Sequence, residues 1–282
     1  MAVLVGLAGA WGGGVPTHWS VAALTLLGAV LAHAGANLVN DYHDREADAG
    51  NAGRLTPFTG GSRLIQDGVL DARAVAAFGY ALLAATVAIG TALALSGRPQ
   101  LWTLGALGLA LAVAYSAPPL RLSARGIGEF AIAAAWLLVV VGADVAQRGS
   151  WAPAPLAAGV PIALLVAAIL LANEFPDRIA DAAAGKRTLI VRLGPRRGAC
   201  AYLALVASAH LWLAAAVAAG AAPPIALAGL TSAPLSLFAA RQLALHGGDS
   251  PTSVLLPALR VTIAAAHLHG LLVAAALLLA AR

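Results

Sequence analysis

Residues 154–181 read APLAAGVPIALLVAAILLANEFPDRIAD. The part before Asn173 carries no charge and is long enough to cross about 30 Å of hydrocarbon as a helix. The part after it is acidic, and Asn173, Asp177 and Asp181 recur at every fourth position, which places them on one face of a helix. Pro176 lies inside this pattern and predicts that the helix is kinked or ends there. The stretch therefore predicts a membrane-spanning helix that leads into a stripe of polar side chains.

The composition of the whole chain agrees with this interpretation. Of 282 residues, 61% are apolar and only 10% are charged, against roughly 25% charged in an ordinary soluble domain. These values exclude a soluble globular protein, because the chain has too few charged residues to form a polar surface. They also exclude a disordered chain. Cys200 is the only cysteine, which excludes a disulfide scaffold. We therefore expect an all-α, polytopic membrane protein, a single domain over residues 1–282.

Apolar runs that can span a bilayer recur along the chain, and glycine and proline mark most of their boundaries. They lie at 18–40, 72–96, 100–116, 127–146, 154–174, 198–220, 223–243 and 258–281. A ninth run, at 2–11, is short. The sequence thus predicts a bundle of about nine transmembrane helices, and an eight-span alternative would put both termini on the same side.

The basic residues predict the orientation of this bundle. With nine spans, all but three of the 17 Lys and Arg residues lie at loops that follow even-numbered spans, the exceptions being Arg98, Arg148 and Arg282. The positive-inside rule places the first group in the cytoplasm. We expect the N-terminus inside, the C-terminus outside, and the protein in a prokaryotic inner membrane. In a chain this apolar, the net charge of +5 indicates cytoplasmic loops at a lipid bilayer and not a nucleic-acid partner.

A first acidic cluster follows the second span. Asn37, Asp41, Asp44 and Asp48 are spaced i, i+4, i+7 and i+11, one stripe of a helix, and Asn40 lies beside it. Like charges on one face repel, so this stripe favours a bound cation. Carboxylate and amide oxygens suit Mg²⁺, which shares its coordination with water and substrate phosphate.

The second cluster, Asn173 to Asp181, lies at the same predicted side of the membrane and is followed by Lys186 and Arg187. One acidic segment alone is more often a solvated loop with helix-capping acids. Two stripes on one side, each with an Asn four residues before an Asp, favour a functional site. Acids that bind metal next to cations that bind anions are typical of a metal–diphosphate site.

These motifs resemble those of the UbiA superfamily of intramembrane prenyltransferases. The signature N-D-x-x-D-x-x-x-D matches Asn40, Asp41, Asp44 and Asp48, and D-x-x-x-D-x-x-x-G matches Asp177, Asp181 and Gly185. The segment 115–121, YSAPPLR, resembles the loop after the family's fourth helix. Residues 173–194, NEFPDRIADAAAGKRTLIVRLG, are most similar to the 1,4-dihydroxy-2-naphthoate prenyltransferases of menaquinone synthesis.

The resemblance implies a chemistry and a set of site residues. It implies Mg²⁺-dependent transfer of a polyprenyl group from its diphosphate to an aromatic acceptor, here 1,4-dihydroxy-2-naphthoate with loss of the carboxylate, on the cytoplasmic side. The catalytic, metal-binding carboxylates would be Asp41, Asp44, Asp48, Asp177 and Asp181, with Asn40 and Asn173 as neutral ligands. Diphosphate would be held by Arg54, Arg63, Arg121, Lys186 and Arg187. Tyr115 and Asn37 are candidates for stabilising the allylic cation or contacting the acceptor.

Three alternatives stay open at this point. The first is that the acceptor is a different aromatic compound used by other members of the same superfamily. The second is that the protein is a UbiA-type terpene cyclase, which uses the same metal motifs. An ion-coupled transporter is a remote alternative, because transporter acids lie near the centres of broken helices, whereas these lie at helix ends.

Overall fold

A computed structural model describes residues 1–51, 58–248 and 250–280. Within these ranges the chain is helical and has no strand, so the all-α prediction is confirmed. The α-helices are α1 (Ala2–Gly12), α2 (Trp19–Ala49), α3 (Ala72–Leu95), α4 (Gln100–Ala114), α5 (Gly128–Arg148), α6 (Ala154–Ala183), α7 (Leu189–Ala218), α8 (Ala233–His246) and α9 (Leu256–Ala280). Three 3₁₀ segments lie at Leu122–Arg125, Pro224–Ser232 and Thr252–Leu255.

Six helical stretches of the described chain are long and apolar enough to cross a membrane: α2, α3, α5, α6, α7 and the stretch Thr252–Ala280, which contains α9. Two further apolar helices, α1 and α4, are shorter, with 11 and 15 residues. The run expected to span at 223–243 is a 3₁₀ segment, Pro224–Ser232, followed by α8. The polytopic architecture is confirmed at this level by six long apolar helical stretches in the described residues.

Helix α2 continues beyond its apolar run. The sequence predicts a span at 18–40, and the helix extends to Ala49, so that the first acidic cluster is helical throughout. The acids therefore do form one stripe, as their spacing predicts. At the start of the next helix, the Asp71 side chain caps α3 by accepting the N–H groups of Arg73 and Ala74.

Prolines shape α6 and α7 differently. Helix α6 does not end at Pro176 but continues to Ala183, because an internal proline removes one backbone hydrogen bond and leaves the following turns intact. Helix α7 contains a kink at Gly194, whose φ of 73° is a left-handed conformation that favours glycine, directly before Pro195. The predicted span at 198–220 is therefore the second, longer part of α7.

The core lies along α6. One buried cluster joins α6 to α7, α8 and α9 through side chains such as Leu171, Tyr202 and Leu259. A second joins α6 to α1, α5 and α9 near Ile162. Helix α2 lies outside this core and packs on α3, where a methyl group on Gly35 would come within 2.9 Å of the Gly79 carbonyl oxygen. Small residues allow this close approach, as is common between membrane helices.

Candidate active site

The two acidic stripes converge on Lys186. The Lys186 Nζ lies 2.8 Å from Asp44 Oδ2 on α2 and 3.6 Å from Asp181 Oδ1 on α6. Both Lys186 and Asp44 are buried. Burial alone would lower the pKa of Lys186. The negative charges of Asp44 and Asp181 raise it by more than burial lowers it, so the pKa lies above its ordinary value. Lys186 is therefore a permanent cation that links the end of α2 to the end of α6.

The α2–α3 loop (residues 58–71) closes over the acids of both helices. The Gly60 N–H donates to Asp177 Oδ2 at 3.3 Å, and the Ser62 N–H donates to Asp41 Oδ1 at 3.3 Å. Gly61, with φ of 68°, lies so close that a methyl group there would come within 2.5 Å of Asp48 Oδ2. Backbone N–H groups of one loop thus stabilise carboxylates from two helices.

Two amide side chains orient the carboxylates. The Asn40 Nδ2 donates to Asp44 Oδ2 at 3.0 Å and to Ser116 Oγ at 2.7 Å. The Asn51 Nδ2 donates to Asp177 Oδ1 at 2.6 Å. Sequence reasoning proposed Asn40 and missed Asn51 and Ser116, because Asn51 follows the signature and neither belongs to an acidic stripe.

The carboxylate and amide oxygens of this site suit a divalent cation that takes its remaining ligands from water or from substrate. Asp44 Oδ1 and Asn173 Oδ1 are buried and have no hydrogen-bond partner, and such oxygens favour a cation or a donor. Across residues 1–51, 58–248 and 250–280, no three Asp, Glu, His or Cys side chains form a ready-made metal cage. Mg²⁺ is compatible with this arrangement, because it retains waters and binds substrate phosphates.

The basic residues expected to bind diphosphate occupy different places. Arg63 donates to the Asp48 carbonyl at 3.0 Å and pairs with Asp67 at 3.3 Å. Arg121 is exposed and lines a cavity of about 420 Å³ at the end of α2. Arg187 is exposed beside the buried Lys186. Arg54 lies outside the described residues.

Tyr115 directly follows α4 and lies close enough to several carboxylates for their charges to act on it. Burial raises its pKa well above the ordinary value, and the negative charges of Glu174, Asp44 and Glu129 raise it further. Its phenol is therefore neutral at any working pH. Glu129 and Glu174 are both buried, and Glu174 Oε2 accepts the Ile190 N–H at 3.2 Å. Sequence reasoning gave neither Glu129 nor Glu174 a role.

Asn37 lies one helical turn from Asp41, toward the apolar part of α2. Its side chain is exposed, and its Nδ2 is 3.4 Å from His33 Nε2. Because α2 is helical over this whole segment, the face that carries the acids continues into the membrane-spanning part of the helix, as the four-residue spacing of Asn37 and Asp41 predicts.

Comparisons with known proteins agree with this arrangement. The model of the UbiA prenyltransferase family matches residues 1–263. The 1,4-dihydroxy-2-naphthoate octaprenyltransferase of Mycobacterium tuberculosis is 33% identical over 262 residues, which cover 92% of this chain and 85% of that protein. The 2-carboxy-1,4-naphthoquinone phytyltransferase of Synechocystis sp. is 31% identical, covering 90% of this chain and 78% of that protein.

Solved structures share the fold. A UbiA homolog from Aeropyrum pernix K1 superposes with a TM-score of 0.76 at 20% identity, covering 96% of this chain and 95% of that one. A UbiA homolog from Archaeoglobus fulgidus, solved with DMAPP and Mg²⁺ bound, has a TM-score of 0.65 at 20% identity, covering 96% and 94%. The long apolar helices, the similarity to named prenyltransferases and the family match lead to one conclusion: this chain is an integral membrane transferase and belongs to the UbiA prenyltransferase family.

Proposed function

We propose that the protein transfers a polyprenyl group from its diphosphate to 1,4-dihydroxy-2-naphthoate, with loss of carbon dioxide, in menaquinone-type quinone synthesis. The observation that carries this proposal is the convergence of two acidic helix ends on Lys186 at one end of an apolar bundle. The acceptor is supported by the relatives from Mycobacterium tuberculosis and Synechocystis, which are named for prenyl or phytyl transfer to naphthoate-type rings.

The proposed metal is Mg²⁺. Its ligands would come from a set of carboxylates and amides at the ends of α2 and α6: Asp41, Asp44, Asp48, Asp177, Asp181, Asn40 and Asn173. The unpartnered oxygens of Asp44 and Asn173 support this choice. When bound there, Mg²⁺ supplies positive charge that makes diphosphate a better leaving group.

The protein's own cations would hold the diphosphate. The Lys186 ammonium has three N–H donors, and one of them is directed to Asp44, which leaves donors for a phosphate oxygen. Arg121 and Arg187 are exposed at the rim, where each can bind phosphate in a bidentate fashion. We also propose Arg63 and Arg54 as diphosphate-binding residues, because of their positions in the sequence after the first acidic cluster.

The bond changes follow from these positions. The allylic C–O bond breaks, and diphosphate leaves with the bonding pair. The ring carbon that bears the acceptor's carboxylate would then form the new C–C bond with the allylic carbon, and carbon dioxide would depart from that same carbon, leaving its bonding pair to restore the aromatic ring. The apolar bundle excludes water from the allylic cation, and the neutral Tyr115 offers it a π face.

We further propose that residues 1–282 form one domain with nine spans or partial spans, and that α1, α4 and α8 cross the bilayer together with neighbouring segments. The basic residues support a cytoplasmic active site in a prokaryotic inner membrane. On this topology, the N-terminus is inside and the C-terminus is outside.

A turnover assay in nanodiscs tests the function. The purified protein is incubated with Mg²⁺ and geranylgeranyl diphosphate, with and without 1,4-dihydroxy-2-naphthoate, and products are identified by mass spectrometry. We expect a Mg²⁺-dependent, decarboxylated prenyl-naphthol. Diphosphate release with a cyclised hydrocarbon would instead indicate a cyclase. Diphosphate release without ring attachment would move the assignment to another acceptor, and an inactive sample is repeated with shorter and longer diphosphates.

A further inference from the structure

Positive charge is concentrated on the last three helices of the chain. Residues 182–282 contain eight Lys and Arg residues and a single acidic residue, Asp249. Four exposed arginines of this region are called the arginine band below: Arg196, Arg197, Arg241 and Arg260. Within the part of the chain that the structure describes, none of the four guanidinium groups donates a hydrogen bond or forms an ion pair. The described protein therefore leaves these cations without a partner.

All four arginines lie near one end of their helices. Arg196 and Arg197 begin the part of α7 that follows its kink. Arg241 lies within the last two turns of α8, and Arg260 lies within the first two turns of α9. The chain passes from α8 to α9 through the short connection 247–255, so these two helix ends adjoin. Buried neighbours of the arginines on all three helices belong to one apolar cluster.

The same end of the bundle carries the candidate active site. A methyl group on Gly198 of α7 would lie 3.3 Å from the Phe175 ring, and one on Gly247, directly after α8, would lie 2.5 Å from it. Phe175 belongs to α6 and precedes Asp177 of the second acidic stripe by two residues. The arginine band therefore lies on the exposed surface of the bundle, at the end where the acidic stripes meet.

The exposed neighbours of the arginine band are apolar. On α8, Leu237 and Leu245 are 55% and 61% exposed, and they lie four residues before and four residues after Arg241. Residues four apart share a helix face, so Arg241 has exposed apolar side chains on both sides along the helix. On α7, the exposed Leu203 lies two turns after Arg196. In a bilayer these leucines face lipid, which places the arginines where hydrocarbon meets the headgroups.

This position favours an anionic partner that belongs to the membrane. A guanidinium without a partner at the edge of the hydrocarbon costs free energy. Arg196 and Arg197 also lie at the start of a helical segment, where the helix dipole disfavours a cation and favours an anion. Guanidinium groups bind phosphate in a bidentate fashion. A soluble acidic protein would approach from water, whereas Arg241 lies between two leucines that face lipid.

We propose that the arginine band binds the phosphate headgroups of anionic phospholipids, in the leaflet on the side of the candidate active site. Basic surfaces between membrane helices are typical sites for such headgroups. The guanidinium groups donate to the headgroup phosphates, and the acyl chains lie against the exposed leucines of α7 and α8. Bound lipid thereby connects the ends of α7, α8 and α9 around Phe175, next to the helix that carries Asp177. The proposal goes beyond prenyl transfer and does not depend on the acceptor.

Lipid binding to single-arginine variants tests the proposal. The purified full chain in detergent is titrated with phosphatidylglycerol and, separately, with phosphatidylcholine, and bound lipid is measured by native mass spectrometry. We expect the wild type to bind phosphatidylglycerol more tightly. Arg241→Gln and Arg260→Gln should each weaken the Kd for phosphatidylglycerol roughly fivefold, the scale for one arginine near an anionic surface. Arg241→Lys keeps the charge and should retain most of the affinity.

Arg73→Gln is the matched control. Arg73 is also exposed and lies near the start of a helix, α3, but Asp71 is two residues away. Loss of this charge should leave the affinity for phosphatidylglycerol unchanged. Thermal unfolding gives a second readout: phosphatidylglycerol should raise the Tm of the wild type more than phosphatidylcholine does. The rise should be smaller in the double variant Arg196→Gln/Arg197→Gln.

Three results would overturn the proposal. Equal affinity of the folded wild type for the two lipids would do so, and would favour an acidic protein as the partner of the arginine band. A preference for phosphatidylglycerol that every arginine-band variant retains would show that other cations hold the lipid. An equal loss of preference in Arg73→Gln would show that net charge alone is responsible. Each result concerns binding only, so none of them bears on the proposed prenyl transfer.

Discussion

At the level of single residues, the positive charge of Lys186 offsets the repulsion between the carboxylates of α2 and those of α6. One buried ammonium faces carboxylates from α2 and α6, at 2.8 Å from Asp44 and 3.6 Å from Asp181. Without it, these carboxylates would repel one another in a site that water reaches poorly. The same residue is a candidate ligand for diphosphate, so it contributes to stability and to function.

Lys186→Ala should lower the free energy of unfolding by about 3 kcal/mol, because removing one partner of a buried ion pair leaves uncompensated charge. Thermal unfolding in detergent measures the effect. Arg187→Ala is the control and should change stability by less than about 0.5 kcal/mol, since the Arg187 side chain is exposed. Equal stability of the two variants would contradict the structural role of Lys186.

Asp177→Asn should reduce turnover roughly 100-fold or more, the scale of losing one electrostatic group in an active site, while the protein stays folded. The substitution keeps the shape of the side chain but removes its charge and alters its bonds with Asn51 and Gly60. Asp71→Asn is the matched control, because asparagine caps a helix as well as aspartate does. Normal turnover in a folded Asp177→Asn protein would refute the assignment of Asp177.

At the level of structural elements, the α2–α3 loop and the α2–α3 helix pair position the first stripe. The loop reaches Asp41 and Asp177 with backbone N–H groups, which connects α2 to α6 through hydrogen bonds. The helix pair depends on small residues, which bring the two backbones together and turn the opposite face of α2 inward. Two glycine substitutions probe these elements separately.

Gly61→Ala should strongly reduce turnover, because its methyl group would come within 2.5 Å of Asp48 Oδ2 and 3.2 Å of Asp41 Oδ1. Gly68→Ala controls for backbone strain: Gly68 lies in the same loop with φ of 69°, and a methyl group there would contact nothing within 4 Å. Both variants carry the strain of a left-handed residue, and only Gly61→Ala displaces the acids. The measurement is kcat at saturating substrates; similar losses in both would show that strain alone is responsible.

Gly35→Ala should destabilise the protein by about 1–3 kcal/mol, the effect of overpacking a close helix contact. The added methyl group would press on the Gly79 carbonyl oxygen at 2.9 Å and on Leu83 at 3.0 Å. Gly90→Ala, on α3 with open space around it, should be neutral or stabilising by up to about 1 kcal/mol, because alanine favours helix. Thermal unfolding compares them, and a stabilising Gly35→Ala would argue against the close α2–α3 contact.

At the level of the whole molecule, the charge asymmetry predicts a topology that fusion proteins can test. Alkaline phosphatase fused after residue 280 should be active, because that end is expected outside the cytoplasm, where the enzyme folds with its disulfides. The same reporter fused at residue 186, in the segment that follows α6, should be inactive. Activity of the second fusion, or inactivity of the first, would overturn the proposed orientation.

The sequence by itself determined the fold class and the two acidic stripes. Long apolar runs exclude a soluble protein, and the spacing of Asp41, Asp44 and Asp48 predicts one helix face, because both properties are local and follow from helix geometry. The second stripe, with Asp177 and Asp181, is predicted by the same periodicity. A resemblance of short motifs then indicated the family, which the comparisons confirmed.

The tertiary structure alone decided how these stripes are joined. Asn51 and Ser116 are distant in sequence from the residues that they contact, as are the paired rings of His33 and Trp136, so no local pattern reveals these contacts. The 3₁₀ segment before α8 and the continuation of α6 through Pro176 were likewise not predicted from the sequence. Periodicity determines which side chains share a face, whereas packing between helices determines what that face meets.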